Sequence, residues 1–186
     1  MPTSKHWQIP WIVEIITREQ PSSVLDLGAG YGKYGVLVRE YTAPSRLDAV
    51  DVNPPRYPVY DHVYLGDLRQ IERLLPADAP TYDLALIVDA IEHLEKPDAW
   101  ALLDTLMHRR IARRVLVATP WGFRPQEDPD LPYETHCSGW YPWEFGRRYR
   151  VRAWSVFPGH FTRYLCLPRL WQFAVLLEAR TPAGGR

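Results

Sequence analysis

The sequence predicts one α/β domain over residues 1–186, with a mostly parallel, doubly wound sheet between two layers of helices. Hydrophobic residues switch repeatedly between helical spacing and the short apolar runs of buried strands. Glycines and prolines separate these segments. A chain of 186 residues that is 46% hydrophobic has the length of a single domain and can bury one sizeable core.

The elements follow in an order that sets the architecture. Apolar residues at i, i+4 spacing from Trp7 to Ile16 put one hydrophobic face on a helix near residues 5–18. A short buried strand at 23–27 precedes a glycine-rich turn and an amphipathic segment at 34–41. Further strands are predicted at 47–52, 63–65, 82–88, 115–118, 151–157 and 171–179, and further helices near 68–75, 97–110 and 142–148.

The connections between these elements predict how the sheet is wound. Strands that alternate with helices return to the same sheet by right-handed crossovers. The last two strands have no helix-length apolar segment between them, so we expect an antiparallel hairpin at one edge. The cleft of such a sheet lies above the carboxyl ends of its strands. Residues 120–140, a long loop rich in Pro, Trp and acids, are predicted to form a substrate and lid loop there.

Composition narrows the class of protein. The chain has no apolar run near the length of a membrane span, and residues 1–10 lack the pattern of a secretory signal, so we expect a cytoplasmic protein. Two cysteines, Cys137 and Cys166, are too few for a disulfide framework. The charges of the 22 basic and 22 acidic residues cancel over the whole chain but not within its two parts. Residues 1–108 hold 9 basic and 16 acidic residues, a net charge of −7, and residues 109–186 hold 13 basic and 6 acidic residues, a net charge of +7.

The glycine-rich turn is the sharpest functional signal. Asp26 is followed by glycines at alternate positions, Gly28, Gly30 and Gly32, which suit a tight turn that a ligand approaches closely. The frame from Gly30 also matches G-x-G-x-x-G, with Asp51 about 20 residues further on, so the spacing alone leaves a nicotinamide dinucleotide open. A carboxylate at the turn favours a cationic cofactor such as S-adenosylmethionine over a pyrophosphate.

Three acids stand at the ends of successive predicted strands or in the turns that follow. S-adenosylmethionine asks for an acid near its amino group, an acid for its ribose hydroxyls and an acceptor for its adenine amine, and Asp26, Asp51 and Asp67 occupy those places. Each also has an ordinary structural explanation: Asp26 could cap a turn, Asp51 could start one, and Asp67 could cap the next helix. Together they favour the cofactor.

These motifs resemble those of the class I S-adenosylmethionine-dependent methyltransferases. Residues 24–32 resemble the first motif of that family, residues 49–53 its ribose-binding strand end, and residues 66–68 its adenine-binding turn. Residues 82–94 are similar to its fourth strand and D-x-x-E-H segment, and residues 118–140 resemble small bacterial members often encoded near surface-polysaccharide genes. The resemblance implies a Rossmann-like sheet of seven strands with the last antiparallel. It implies these cofactor-binding residues: Asp26, Gly28, Ala29, Gly30, Gly32, Asp51, Val52, Asp67, Leu68 and Asp89.

The acceptor end of the site is predicted in the long loop. Histidine is well matched to removing a proton from an acceptor hydroxyl or amine near neutral pH. His136 is the candidate base, oriented by Glu134 or Asp89, whereas His93 is interpreted as a structural hydrogen-bonding residue. Asp128, Asp130, Glu134 and His136 match no recognised metal spacing, so no metal is predicted. Aromatic residues of this segment either pack as a folded lid or form a wall for an acceptor ring.

The leading hypothesis is a methyltransferase that acts on O or N of a small molecule or glycan. A nicotinamide-dependent oxidoreductase and a non-catalytic S-adenosylmethionine-binding partner protein are the alternatives. A nucleic acid substrate is not expected, because there is no appended basic domain and the only lysines are Lys5, Lys33 and Lys96. The sequence predicts no membrane partner and leaves the oligomeric state open.

Overall fold

The computed structural model describes residues 6–127, 129–158 and 171–180, which form five α-helices and seven strands. The helices are α1 (Ile9–Glu19), α2 (Lys33–Tyr41), α3 (Ile71–Leu74), α4 (Lys96–His108) and α5 (Pro142–Arg148). The strands are β1 (Ser23–Leu27), β2 (Arg46–Asp51), β3 (His62–Leu65), β4 (Tyr82–Val88), β5 (Ala112–Pro120), β6 (Arg150–Phe157) and β7 (Gln172–Glu178). Of the residues named above, Lys5, Asp128 and Cys166 lie outside the described parts.

All seven strands belong to one sheet in the order β3-β2-β1-β4-β5-β7-β6. Strands β1 to β5 pair in parallel, and β7 is antiparallel to both β5 and β6. The predicted mostly parallel sheet with an antiparallel last strand is confirmed, and so is the closing hairpin at one edge. The winding direction reverses between β1 and β4, so a binding cleft is expected at the carboxyl ends of these two strands.

Helices cover both faces of the sheet because its central strands, β1, β4, β5 and β7, are mostly buried on both sides. Ile12 and Ile16 of α1 and Val38 of α2 pack with one face in a buried cluster. Leu103 and Leu106 of α4 pack in a second cluster on the other face. The three-layer architecture therefore follows from the near-continuous apolar strands and from the single apolar stripe on each helix.

Several boundaries differ from the sequence prediction for local reasons. A 3-10 turn at His6–Gln8 precedes α1, whose start carries a proline. The helix predicted at 68–75 is a 3-10 turn, Leu68–Gln70, followed by the single turn of α3. Strand β5 continues through Pro120, so the long loop starts one residue later and is closed by bridges to Trp140. Among the described helices, none is long and apolar enough to cross a membrane.

Candidate active site

The turn after β1 has the backbone that its glycines predict. Gly28, Gly30 and Gly32 have φ angles of 73°, 55° and 93°, all in the left-handed region that L side chains rarely adopt. A Cβ added to Gly28 would lie 2.5 Å from the Cβ of Ala90, which follows β4. The turn therefore lies directly against the end of the neighbouring strand, at the reversal point of the sheet.

Asp51 at the end of β2 holds this turn in place. Its Oδ2 accepts a hydrogen bond from the main-chain N–H of Gly30 at 2.8 Å, and its Oδ1 accepts from the N–H of Asn53 at 2.8 Å. The second bond is the turn-starting role that the sequence left open. Since each carboxylate oxygen can accept more than one hydrogen bond, both oxygens can also receive a ribose hydroxyl.

Asp26 lies on β1 beneath the turn and is 1% exposed. Its Oδ2 accepts a hydrogen bond from the hydroxyl of Tyr60 at 2.6 Å. Burial raises the pKa of Asp26 to about 7, against the opposing effect of the Tyr60 hydrogen bond, and the nearby Asp51 carboxylate raises it further. The sequence motif predicts a negative charge at Asp26, whereas the folded protein holds this carboxyl group close to half-protonated at neutral pH.

The predicted adenine end of the site lies after β3. Asp67 Oδ1 accepts from the main-chain N–H of Arg69 at 2.9 Å, so the capping role is present. The Arg69 guanidinium also pairs with this carboxylate, and these hydrogen bonds are the main reason that the pKa of Asp67 lies below its usual value. Val52 and Leu68 are half-buried beside the two acids that they follow.

Asp89, the residue after β4, has an unusual backbone and a braced side chain. Its φ of 49° is in the left-handed region, where a non-glycine residue is uncommon. Gln8 Nε2 donates to its Oδ2 at 2.9 Å, and Gln172 Nε2 donates to its Oδ1 at 3.0 Å. Two amides from distant parts of the chain therefore fix this carboxylate between the glycine turn and the long loop.

The side-chain oxygens of the same two glutamines are buried hydrogen-bond acceptors. Gln8 is 0% exposed and Gln172 is 2% exposed, and the Oε1 atom of each has no hydrogen-bond partner among the described residues. Buried polar atoms are rarely left without a partner, so water or a ligand donor is expected beside them. The ammonium group of S-adenosylmethionine supplies three such donors. The residues around Asp89 therefore fit that cofactor.

The long loop docks onto the turn that follows β4 through main-chain hydrogen bonds. The carbonyl oxygen of Glu92 accepts from the N–H groups of Cys137 at 2.8 Å and Ser138 at 3.0 Å. This docking brings the ring of His136 to 4.9 Å from the ring of His93, measured between centroids, in an edge-on contact. Ligand atoms of Glu92, His93 and His136 all lie within 4.8 Å of one another.

The orientation of His136 differs from the sequence hypothesis. Its Nδ1 is hydrogen bonded to the main-chain carbonyl of Arg124 at 2.6 Å, so a carbonyl rather than the carboxylate of Glu134 or Asp89 orients this nitrogen. Glu134 contacts the loop through its own carbonyl, which accepts from Gln126. Burial lowers the pKa of His136, and the nearby His93 and Arg124 act in the same direction. The imidazole is therefore neutral at physiological pH, with its proton on Nδ1.

Sequence reasoning missed Glu92, the most buried acid of this segment. It is 2% exposed, and its Oε2 accepts from the Thr119 hydroxyl at 2.9 Å. Burial raises its pKa to about 8, and the nearby Asp89 carboxylate acts in the same direction. Arg124 is half-buried and interacts with both carboxylates. The signal for Glu92 was its place in the D-x-x-E-H segment, directly before a histidine.

The aromatic residues of the loop divide between the two roles that the sequence left open. Trp140 is fully buried, and its indole N–H donates to the Ser138 hydroxyl at 2.8 Å, so it packs as core. Trp143, Phe123 and Tyr133 are more than half exposed. Exposed rings of this kind remain available for an acceptor.

The chain is similar to known proteins in structure but matches none in sequence. No family model matches the sequence, and no curated protein matches it. Solved structures do match. The N-methyltransferase NodS from Bradyrhizobium japonicum WM9, in complex with S-adenosyl-L-homocysteine, is 12% identical with a TM-score of 0.63, over 92% of this chain and 87% of NodS.

Two further solved structures show the range of this similarity. The small RNA methyltransferase HEN1 is 15% identical with a TM-score of 0.66, and the match covers 98% of this chain but 26% of HEN1. A putative O-methyltransferase from Nostoc punctiforme PCC 73102 is 16% identical with a TM-score of 0.60, over 90% of this chain and 54% of that one. The chain therefore has the fold of the class I S-adenosylmethionine-dependent methyltransferases, as its motifs predict.

Proposed function

We propose that the chain is an S-adenosylmethionine-dependent methyltransferase that transfers the methyl group to an O or N atom of a small molecule or glycan. The observation that carries the proposal is Asp51, whose carboxylate closes the left-handed glycine turn through Gly30 at the reversal point of the sheet. Bound S-adenosylmethionine supplies an activated methyl group on a sulfonium.

Different residues of the chain bind the cofactor and position the acceptor. Asp51 accepts hydrogen bonds from the ribose, Asp67 from the adenine amine, and Asp26 and Asp89 attract the positive charge of the cofactor. The glycine turn lets the backbone approach closely. The loop that ends at Trp140 excludes water and positions the acceptor, which supplies much of the rate in an in-line transfer. Because its Nδ1 holds the proton, His136 offers Nε2 to the acceptor.

Calorimetry with S-adenosylmethionine, S-adenosylhomocysteine and NAD separates this function from the oxidoreductase alternative. We expect both sulfur ligands to bind and NAD not to bind. Asp51→Ala should weaken both sulfur ligands, whereas Asp78→Ala should not. Asp78 is an exposed acid that precedes the amino-terminal end of β4, whereas Asp51 lies at the carboxyl end of β2. Binding of NAD alone would refute the methyltransferase proposal.

Turnover separates an enzyme from a non-catalytic cofactor-binding partner protein. Release of S-adenosylhomocysteine is measured with alcohols, amines, oligosaccharides and a short oligoribonucleotide as acceptors. Production with an alcohol, an amine or an oligosaccharide supports the proposed acceptor class. Production with the oligoribonucleotide alone replaces that class with RNA and leaves the methyltransferase assignment intact.

A further inference from the structure

Three side chains with metal-binding chemistry meet where the long loop docks. A carboxylate oxygen of Glu92 and one ring nitrogen each of His93 and His136 lie within 4.8 Å of one another. Ligand atoms that share one first-row ion at 2.0–2.2 Å are roughly 3 to 3.6 Å apart. Small rotations of the side chains would therefore bring all three atoms onto one ion.

Both imidazoles are already set in the state that a metal ion requires. The Nδ1 of His93 is hydrogen bonded to the carbonyl oxygen of Thr135 at 3.1 Å, and the Nδ1 of His136 to that of Arg124 at 2.6 Å. A carbonyl oxygen can only accept, so each Nδ1 carries the proton and each Nε2 keeps its lone pair. Metal-bound histidines are oriented by the same kind of bond from their other nitrogen.

The charges around the three groups favour a bound cation. Glu92 is buried on the inner side of the turn, and the carboxylate of Asp89 interacts with it. Arg124 interacts with both acids and supplies one positive charge beside two carboxyl groups. Thr119 holds the Oε2 of Glu92 and so fixes the direction of its carboxylate. A second positive charge at this place would balance the pair of acids.

We propose that Glu92, His93 and His136 bind one divalent first-row metal ion, which holds a hydroxyl group of the methyl acceptor. The donor set of two imidazoles and one carboxylate suits Mn²⁺, Co²⁺ or Zn²⁺ better than Mg²⁺ or Ca²⁺, which prefer oxygen ligands. The role of the ion rests on the proposed function, whereas its binding does not. The proposal differs from the prediction, made from the sequence, that the site holds no metal. In the proposed site, Nε2 of His136 binds the ion and does not accept a proton from the acceptor.

An ion at this position would also narrow the acceptor class. A metal-bound hydroxyl loses its proton to water far more readily than a free one. An amine needs no such help once it is neutral. The proposal therefore favours an oxygen acceptor within the range that the proposed function leaves open.

Ion binding is tested on untagged, metal-free protein without cofactor or acceptor. Mn²⁺ is titrated and the signal of free Mn²⁺ is followed by electron paramagnetic resonance, with Zn²⁺ as a competitor. We expect one Mn²⁺ per chain, displaced by Zn²⁺, and affinity that falls about tenfold or more in Glu92→Gln and His136→Ala. His108→Ala, at an exposed histidine that ends α4, should bind as the wild type does.

A measurement on the wild-type protein tests the same site without depending on how the variants fold. Bound Mn²⁺ broadens nearby nuclear magnetic resonance signals, so the ring signals of His93 and His136 should disappear first. The ring signals of His62 and His108 should persist. Uniform broadening of all four rings, or binding of neither Mn²⁺ nor Zn²⁺, would overturn the proposal.

Different experimental results would refute the metal site and the proposed function. If S-adenosylhomocysteine binds but neither metal ion does, the metal site is wrong and the methyltransferase proposal stands. If a metal ion binds at the two histidines but neither sulfur ligand does, the site is real and the proposed function is wrong.

Discussion

The buried carboxyl group of Asp26 predicts that S-adenosylmethionine binds more tightly as the pH rises. The folded protein holds its pKa at about 7, against a usual value of 3.8, because burial disfavours the charged form. Below pH 7 the group is mostly neutral, and above pH 7 it is mostly a carboxylate. A cationic cofactor prefers the carboxylate, so its binding expels the proton that Asp26 holds.

The size of the effect follows from that pKa. If only the carboxylate form binds well, the apparent Kd is proportional to 1 + 10^(pKa − pH), which is about 11 at pH 6 and about 1.1 at pH 8. Affinity should therefore rise about tenfold between these values. Tyr60 and Asp51 are the ionisable groups that act on Asp26, and burial raises the pKa of the Tyr60 hydroxyl further above this range. The phenol therefore stays neutral throughout.

Calorimetry at pH 6, 7 and 8 in buffers of different ionisation enthalpy measures both the Kd and the protons released. The control is Asp26→Asn, which keeps the shape and the acceptor for Tyr60 but cannot ionise. Because the variant binds the same ligand, its profile reports the other groups that titrate, such as the cofactor amine and Glu92, and the ratio of the two Kd values isolates Asp26. Parallel profiles for the two proteins, or no proton release at pH 6, would refute the reasoning.

The remaining predictions concern stability and the cofactor site. Because the pKa of Asp26 is raised in the folded protein, its contribution to stability is complete below about pH 4 and is lost as the pH rises from there through 7. In urea unfolding, the free energy of unfolding of Asp26→Asn should therefore gain up to about 4 kcal/mol over that of the wild type by pH 8. Asp51→Ala should cost roughly 1.5 to 3 kcal/mol in S-adenosylhomocysteine binding by calorimetry, through lost hydrogen bonds to a charged acceptor; unchanged affinity would remove Asp51 from the site. Gly28→Ala should lower the free energy of unfolding by about 1 to 3 kcal/mol, because its φ is 73° and the new Cβ would lie 2.5 Å from a neighbouring methyl carbon. Its matched control is Gly146→Ala inside α5, where the nearest atom to the new Cβ is 3.8 Å away, and this change should be neutral or stabilising. Trp140→Ala should cost about 3 to 5 kcal/mol, since the side chain is fully buried; a loss below 1 kcal/mol would show that the loop does not pack as core.

Much of the fold could be predicted because its signals are local. Strand β4 is apolar at every position except Asp83 near its start, which is typical of a parallel strand buried on both faces. The glycines after β1 imply a left-handed backbone, which the φ angles confirm. The position of β7 between β5 and β6 has no local signal, because it depends on pairing between strands that are distant along the chain.

The candidate site could be predicted only where one segment carries its own chemistry. Asp51 and the glycine turn belong to short motifs, so their places were readable. The charge state of Asp26 could not be predicted from the sequence, since it depends on burial and on Tyr60, 34 residues away. The pairing of His93 with His136 was missed for the same reason, because main-chain bonds to Glu92 create it only in the folded protein.

The two amides that brace Asp89 have a practical consequence for handling this protein. Gln8 lies just before the first long helix and Gln172 at the start of β7, so one carboxylate depends on residues from opposite ends of the sequence. A purification tag fused ahead of residue 6 would stand within a few positions of Gln8. Preparations for ligand work should therefore carry a cleavable tag at the other terminus, and loss of cofactor affinity after trimming the first nine residues would be a sign of damage to the site itself.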